Sequence, residues 1–265
     1  MIKLIASDID GTLVKEYSTE LYPELYEAIM QWTDAGNYFC AASGRQYFSI
    51  RSIFGPVADR IIFLAENGAH VRYGQEDILI KKMEDEYVKK LITQLRTYYG
   101  ECDAVYSSTE EGLLETKNQE FIKFFSETYK NKFRLVEDVL KENADIIKIG
   151  FYRKGGIRQL GEEVLIPAWQ DKLQTCMAGE EWVDFMDASV DKGNALRVVQ
   201  QHFGISREET MAFGDNDNDI SLLLAAEESY AVENARDSVK TKAKHICPSY
   251  EKKGVYYVMK ELLEK

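Results

Sequence analysis

The sequence lacks the residues that staple a small fold or cage a soft metal. Its four cysteines, Cys40, Cys102, Cys176 and Cys247, are scattered so that no Cys-x-x-Cys pair forms, and no histidine stands at metal-ligand spacing. A disulfide framework and a zinc site are excluded as organising features, and reduced thiols in a cytosolic protein are expected. No apolar run approaches the roughly 20 residues that cross a bilayer. The first strand-like run opens at Ile2, which leaves no room for a signal peptide. A cytoplasmic location follows as the expectation. The net charge of −12 repels nucleic acid and anionic membranes at long range. There is no Gly-x-x-x-x-Gly-Lys-Ser/Thr and no Gly-x-Gly-x-x-Gly after a strand, so a nucleotide-driven motor and a dinucleotide enzyme are excluded. Internal repeats, low-complexity segments and Pro- or Ser-rich linkers are also missing.

The 265 residues, 45% of them hydrophobic, can build one large domain or two modest ones. The chain is organised around Asp8-Ile9-Asp10-Gly11-Thr12-Leu13, which follows the apolar run Ile2-Lys3-Leu4-Ile5-Ala6. This pattern reads as a buried strand that delivers two carboxylates to its mouth. Residues two apart on an extended chain share a side, so Asp8 and Asp10 can face one small volume, and Gly11 lets the backbone turn beyond them. Two such carboxylates repel unless compensated, and a hard cation such as Mg2+ answers that need together with substrate phosphate. A polar strand end before a surface turn is the bland alternative, so the rest of the chain has to decide.

Leu21, Leu25, Ala28, Ile29 and Trp32 lie on one helical face, with Pro23 near its start and Gly36 as its stop. Two further apolar runs, Tyr38 to Ala42 and Ile61 to Ala65, end in Ser43-Gly44-Arg45 and Glu66-Asn67-Gly68. Strand, helix, strand, helix, strand implies a parallel sheet covered on both faces, with ligands bound beyond the carboxyl ends of its strands.

The texture then changes. Val71 to Tyr73 and Ile78 to Ile80 suggest a hairpin around Gly74. Val88, Leu91, Ile92, Leu95 and Tyr99 mark a helix stopped by Gly100, with acids in its first turn. Extended runs follow at Ala104 to Ser107 and Leu113 to Thr116, then a helix face of Phe121, Ile122, Phe125 and Tyr129, and a strand at Ile146 to Tyr152. A helix on Ile157, Leu160 and Val164 precedes a hairpin of Thr175 to Ala178 with Trp182 to Met186. This third reads as an inserted α+β domain of about a hundred residues. The expected division is 1–82 core, 83–187 insertion and 188–265 core. The first texture then resumes. Ala195, Val198, Val199 and Phe203 form a helical face, and Thr210 to Phe213 is a strand-like run ending in Gly214-Asp215-Asn216-Asp217-Asn218-Asp219.

Strand ends thus carry Asp8 with Asp10, Ser43, Asn67, and Asp215 with Asp219, while Lys192 follows Asp191 at a helix start. These residue types suit phosphoryl transfer, which needs a nucleophile, a cation and donors for the phosphoryl oxygens. The alternate acids from Asp215 also resemble the opening of a calcium loop, but the sixth and twelfth places hold Ile220 and Ala226 instead of glycine and glutamate, which excludes it.

On these residues the chain resembles the haloacid dehalogenase superfamily, in its Cof-type branch with a large inserted cap. The motifs match in order at Asp8-Ile9-Asp10-Gly11-Thr12, Ser43, Lys192-Gly193, and Gly214-Asp215 through Asn218-Asp219, with softer matches at Glu66-Asn67-Gly68-Ala69 and Glu233-Asn234-Ala235. The resemblance implies an α/β core, Rossmann-like, with helices on both faces and an α+β cap that closes over the site and selects the substrate. It implies a Mg2+-dependent phosphatase of small phosphorylated metabolites, sugar phosphates first, acting as monomer or homodimer. Asp8 would be the nucleophile that forms an aspartyl-phosphate, and Asp10 would protonate the leaving oxygen and later activate water. Ser43 would donate to a phosphoryl oxygen, and Lys192 would supply positive charge and screen Asp8 from Asp215. Asp8, Asp215 and the Asp10 backbone carbonyl would hold Mg2+, with Asn218 and Asp219 completing or orienting that shell. Gly44, Arg45, Asn67, Lys192 and Asn218 would line the substrate phosphate.

Alternatives remain for single residues and for the whole. Taken alone, Ser43 reads as a turn residue and Lys192 as a solvated helix start. Arg45 either touches substrate phosphate or bridges surface acids. Phe151, Tyr152, Arg153 and Trp182 are substrate contacts or cap core. His70, His202 and His245 have no second histidine or cysteine placed to help them. A phosphomutase of the same fold, or a phosphate-metabolite binding protein without turnover, are the alternative functions.

Overall fold

The computed structural model describes residues 1–16, 18–129 and 131–264. The chain forms two compact units, Met1–Leu79 with Asp191–Lys265, and Ile80–Val190. The cuts fall three residues before the expected 82 and three after the expected 187. At the second cut, Val190 N–H donates to the Asp187 carbonyl at 2.9 Å, which keeps that turn with the inserted unit.

The first unit opens with β1 (Leu4–Asp8), all of it buried. α1 (Pro23–Asp34) starts at its proline, whose missing N–H costs nothing in a first turn, and buries Leu25, Ala28, Ile29 and Trp32. β2 (Tyr38–Ala42), α2 (Tyr47–Ile53) and β3 (Ile62–Ala65) complete the alternation. β1 to β3 run parallel, with Leu4 opposite Tyr38 and Cys40 opposite Ile62. β4 (His70–Tyr73) turns back antiparallel on β3, and β5 (Glu76–Ile80) forms the sheet edge beside it.

The second unit begins with α3 (Asp85–Leu95), which buries Val88, Leu91, Ile92 and Leu95. It ends a turn before the expected Gly100, in a tighter turn at Arg96–Tyr98, and the Tyr99 hydroxyl meets that of Tyr106 at 2.6 Å. β6 (Asp103–Ser107), β7 (Gly112–Leu114), α4 (Gln119–Tyr129), β8 (Phe133–Leu135) and β9 (Lys148–Tyr152) follow. The Tyr129 side chain, expected on the α4 face, lies outside the described residues. Next come α5 (Arg158–Leu160), a wide π turn at Gly161–Leu165, and α6 (Ile166–Trp169). That turn inserts a residue into the helical repeat, so Leu165 and Trp169 are buried while Val164, expected inside, is exposed. β10 (Leu173–Ala178) and β11 (Trp182–Asp187) close the unit as an antiparallel hairpin in a sheet of order β10-β11-β9-β6-β7-β8. Phe151 belongs to its core with Leu91, Tyr106 and Phe185. Tyr152 stacks on Phe121, Trp182 packs against the same ring at a tilt, and Arg153 Nε donates to the Gly156 carbonyl.

Back in the first unit, α7 (Lys192–Phe203) is capped by the Asp191 carboxylate, which accepts the Asn194 N–H. β12 (Thr210–Gly214), α8 (Ile220–Leu224), β13 (Glu228–Val232), α9 (Asp237–Lys240), β14 (His245–Cys247) and α10 (Gly254–Leu263) complete the chain. β12 pairs parallel to β1, with Leu4 opposite Thr210, giving the order β14-β13-β12-β1-β2-β3-β4-β5. Helices pack on both faces of this mainly parallel sheet over a single apolar core, the expected α/β class. Among the described residues no helix is long and apolar enough to cross a membrane.

Candidate active site

The central strand β1 ends at Asp8, which is only 5% exposed. Beyond it the backbone coils back, with Leu13 N–H donating to the Ile9 carbonyl at 2.9 Å and Gly11 N–H to Val14 at 2.7 Å. Gly11 has φ +83°, and a Cβ there would stand 2.4 Å from Asp215 Oδ2, so both the conformation and the space require glycine. The Thr12 hydroxyl donates to Asp215 Oδ1 at 3.0 Å. Asn234 Nδ2 holds the Gly11 carbonyl at 2.7 Å. The ends of β1 and β12 are therefore locked to each other.

Lys192 begins α7, and the next residue, Gly193, lets α7 lie against Ser221: a Cβ would meet the Ser221 carbonyl oxygen at 2.2 Å. This places the almost fully buried Lys192 ammonium 2.6 Å from both Asp8 Oδ1 and Asp219 Oδ1. The other oxygen of Asp219 accepts the N–H groups of Asp215 and Asn216, each at 3.0 Å. Lys192 thus separates Asp8 from Asp219, where Asp215 was the expected neighbour.

Crowding of carboxylates dominates the electrostatics. Burial, then the negative charge of Asp219, raises the Asp8 pKa well above its usual range, against the opposing pull of Lys192. Burial and Asp219 likewise push Asp215 up to about 7. Burial alone would lower the Lys192 pKa, but Asp219 and Asp8 outweigh it and keep the ammonium charged.

The neighbouring strand ends contribute the rest. Ser43 Oγ accepts the Arg45 N–H at 3.1 Å, and the Ser43 carbonyl accepts Asn67 N–H at 3.0 Å. Glu66 and Asn67 sit at φ +50° and +56°, an unusual conformation for non-glycine residues that turns Asn67 toward the site. Its Oδ1 accepts from Asn218 Nδ2 at 3.1 Å, and Gly44 leaves room for its amide.

Oxygens of Asp8, Asp215 and Asp219 lie within 4.8 Å of one another. Asp8 Oδ2 and Asn218 Oδ1 are buried and make no hydrogen bond among the described residues. An orphaned buried carboxylate oxygen within an all-oxygen donor set, with Asp8 and Asp215 driven toward protonation, fits a hard divalent cation. Asp219, with both oxygens engaged, suits an orienting role in that cluster.

The Asp10 carboxylate is not part of this group. Its charge is met by Arg45, which grips both of its oxygens. Nor does Arg45 bridge surface acids, since its side chain is 5% exposed. His70, His202 and His245 face Asp77, Glu76 and Glu228 and stay apart from the cluster. Thr12 and Asn234 stood in the matched motifs without a role assigned to their side chains. A buried hydroxyl directly after the turn glycine was the one available signal.

Comparison with known proteins gives the class. The family described as haloacid dehalogenase-like hydrolase matches residues 5–259, and the chain belongs to that family. It is an enzyme of the phosphatase type. The Escherichia coli protein named 5-amino-6-(5-phospho-D-ribitylamino)uracil phosphatase YbjI is 28% identical over 99% of this chain and 97% of its own length. Phosphatase YwpJ of Bacillus subtilis is 27% identical over 99% of this chain and all of its own length. A solved structure from Eubacterium rectale superposes with a TM-score of 0.88 at 34% identity, covering 98% of this chain and 99% of that one.

Proposed function

We propose that the chain hydrolyses small phosphorylated metabolites, sugar phosphates foremost, through an aspartyl-phosphate on Asp8, and that the reaction depends on Mg2+. The observation that carries this reading is Asp8 itself, buried at a strand end with Oδ1 on Lys192 and Oδ2 without a hydrogen-bond partner among the described residues. A carboxylate oxygen fixed in that way is poised to bond phosphorus. As it does, the ester P–O bond breaks and Asp10 gives a proton to the departing oxygen. Water then attacks phosphorus, its proton passes to the Asp10 carboxylate, and the bond to Asp8 breaks. Ser43 and Lys192 hold phosphoryl oxygens during both steps, with Gly44, Asn67 and Asn218 around them. Asp8, Asp215 and the Asp10 backbone carbonyl would hold Mg2+, which neutralises phosphoryl charge when bound, and Asn218 and Asp219 orient that shell. The preference for sugar phosphates is supported by relatives from E. coli and B. subtilis whose named substrate carries a phosphorylated ribityl chain.

The test is phosphate release from a panel of phosphorylated sugars, nucleotides and vitamins, with and without Mg2+, for the chain and its Asp8→Asn variant. Mg2+-dependent release that disappears in a folded Asp8→Asn protein is expected. Release that survives thorough metal removal, or that persists in the variant, overturns the reading. No release from any compound transfers it to a mutase or to binding without turnover.

A further inference from the structure

The Arg45 guanidinium spans two segments of the first unit. Its Nε donates to Asp10 Oδ2 at 2.7 Å, one terminal nitrogen donates to Asp10 Oδ1, and the other donates to the Ser18 carbonyl at 3.0 Å. The Arg45 backbone is fixed as well, its N–H on Ser43 Oγ and its carbonyl on the Glu66 N–H. A two-pronged fork sets the plane of a carboxylate as well as its position, which a point charge cannot do. The fork is buried, while the Asp10 side chain remains 25% exposed.

We infer that Arg45 is a positioning residue for Asp10 and that its importance grows with the basicity of the leaving group. This rests on the roles proposed for Asp8 and Asp10. When Asp8 bonds to phosphorus, the electron pair of the breaking ester bond goes to the departing oxygen. An alkoxide needs the Asp10 proton at that moment. A nitrophenolate is stable as an anion and leaves without it. A carboxyl set in the wrong plane is therefore felt on alkyl esters and much less on aryl esters. An arginine that gripped the phosphoryl group would be felt equally on both.

The experiment compares kcat/KM for an alkyl phosphate and for p-nitrophenyl phosphate in the wild type, Arg45→Ala, Arg45→Lys, Asp10→Ala and the Arg45→Ala/Asp10→Ala double variant. This ratio stops at the first irreversible step, formation of the phosphoenzyme, so the later attack of water does not enter it. Arg45→Ala is expected to lose about 100-fold on the alkyl ester and less than about 10-fold on the aryl ester. Added guanidinium ion should restore part of the alkyl activity, and the double variant should be no slower than Asp10→Ala alone. Arg45→Lys keeps the charge without the fork; it should show the same alkyl-selective loss and stands in if Arg45→Ala does not fold. Equal losses on both esters overturn the inference and place Arg45 on the phosphoryl group. Fully additive losses overturn it too. Asp10→Ala losing both activities equally removes the acid role of Asp10 and the inference with it, whereas a wild type inert on every ester removes the proposed function itself.

Discussion

Lys192 Nζ lies 2.6 Å from Asp219 Oδ1, and Asp219 uses its other oxygen to hold the backbone N–H groups of Asp215 and Asn216. One carboxylate therefore fixes both the cation of the site and the loop that carries Asp215. Removing that cation by Lys192→Met leaves Asp8 and Asp219 as buried acids without a counter-charge. The variant should be destabilised by about 3–5 kcal/mol. Denaturant unfolding measures this as a lower midpoint, and a midpoint equal to wild type would show that the site does not need Lys192 as its counter-charge.

Thr12→Val replaces the hydroxyl that bonds Asp215 by a methyl of the same size. The fold should survive, while Mg2+ affinity falls by about 10–100-fold because the ligand proposed for it is no longer oriented. Calorimetric titration of metal-free protein reads this directly. Unchanged affinity would mean that Asp215 is placed by the Asp219 loop alone.

Gly11→Ala places a methyl where the Asp215 carboxylate stands and demands a left-handed backbone of an ordinary residue. A loss of about 1–3 kcal/mol is expected. Thermal melting should show it, together with weaker Mg2+ binding than in the wild type.

The raised pKa of Asp215 gives a signed pH dependence. Between the ordinary value of 3.8 and about 7, the folded metal-free protein holds a proton there that the unfolded chain has released. Stability from this group is therefore intact below pH 3.8 and lost as pH rises through 7. Asp215→Asn escapes that loss, so its melting temperature relative to wild type, without metal, should climb from pH 5 to pH 8. A constant difference across that range would sink the argument. Saturating Mg2+ should close the gap at pH 8, because the proposed Mg2+ site needs the wild-type carboxylate.

Much of this site is legible in the sequence. Asp8, Ser43, Asn67 and Asp215 each follow an apolar run of strand length, and in a parallel sheet such ends converge. Pairing partners were hidden because they are remote in sequence. Thr12 meets Asp215 across 203 residues, Asn234 meets Gly11 across 223, and even Arg45 reaches Asp10 across 35. Side-chain direction is set by the register of neighbouring elements, which no local pattern encodes. Two features of the inserted unit were missed for local reasons. β8 is three residues long with an exposed Leu135, too brief to show alternation. The π turn at Gly161–Leu165 breaks the helical period, so the 3.6-residue spacing that predicts Val164 inside does not hold there.

The place of β1 between β2 and β12 also bears on how the protein is made. β2 leaves the ribosome soon after β1, but the partner for its other edge ends at Gly214, behind the whole inserted unit. A growing chain carries β1 with one row of backbone donors and acceptors open until β12 has been made. Premature chain termination anywhere in the insertion would leave that edge bare and Asp8 without its ammonium partner, so truncated products should be both inactive and prone to aggregate.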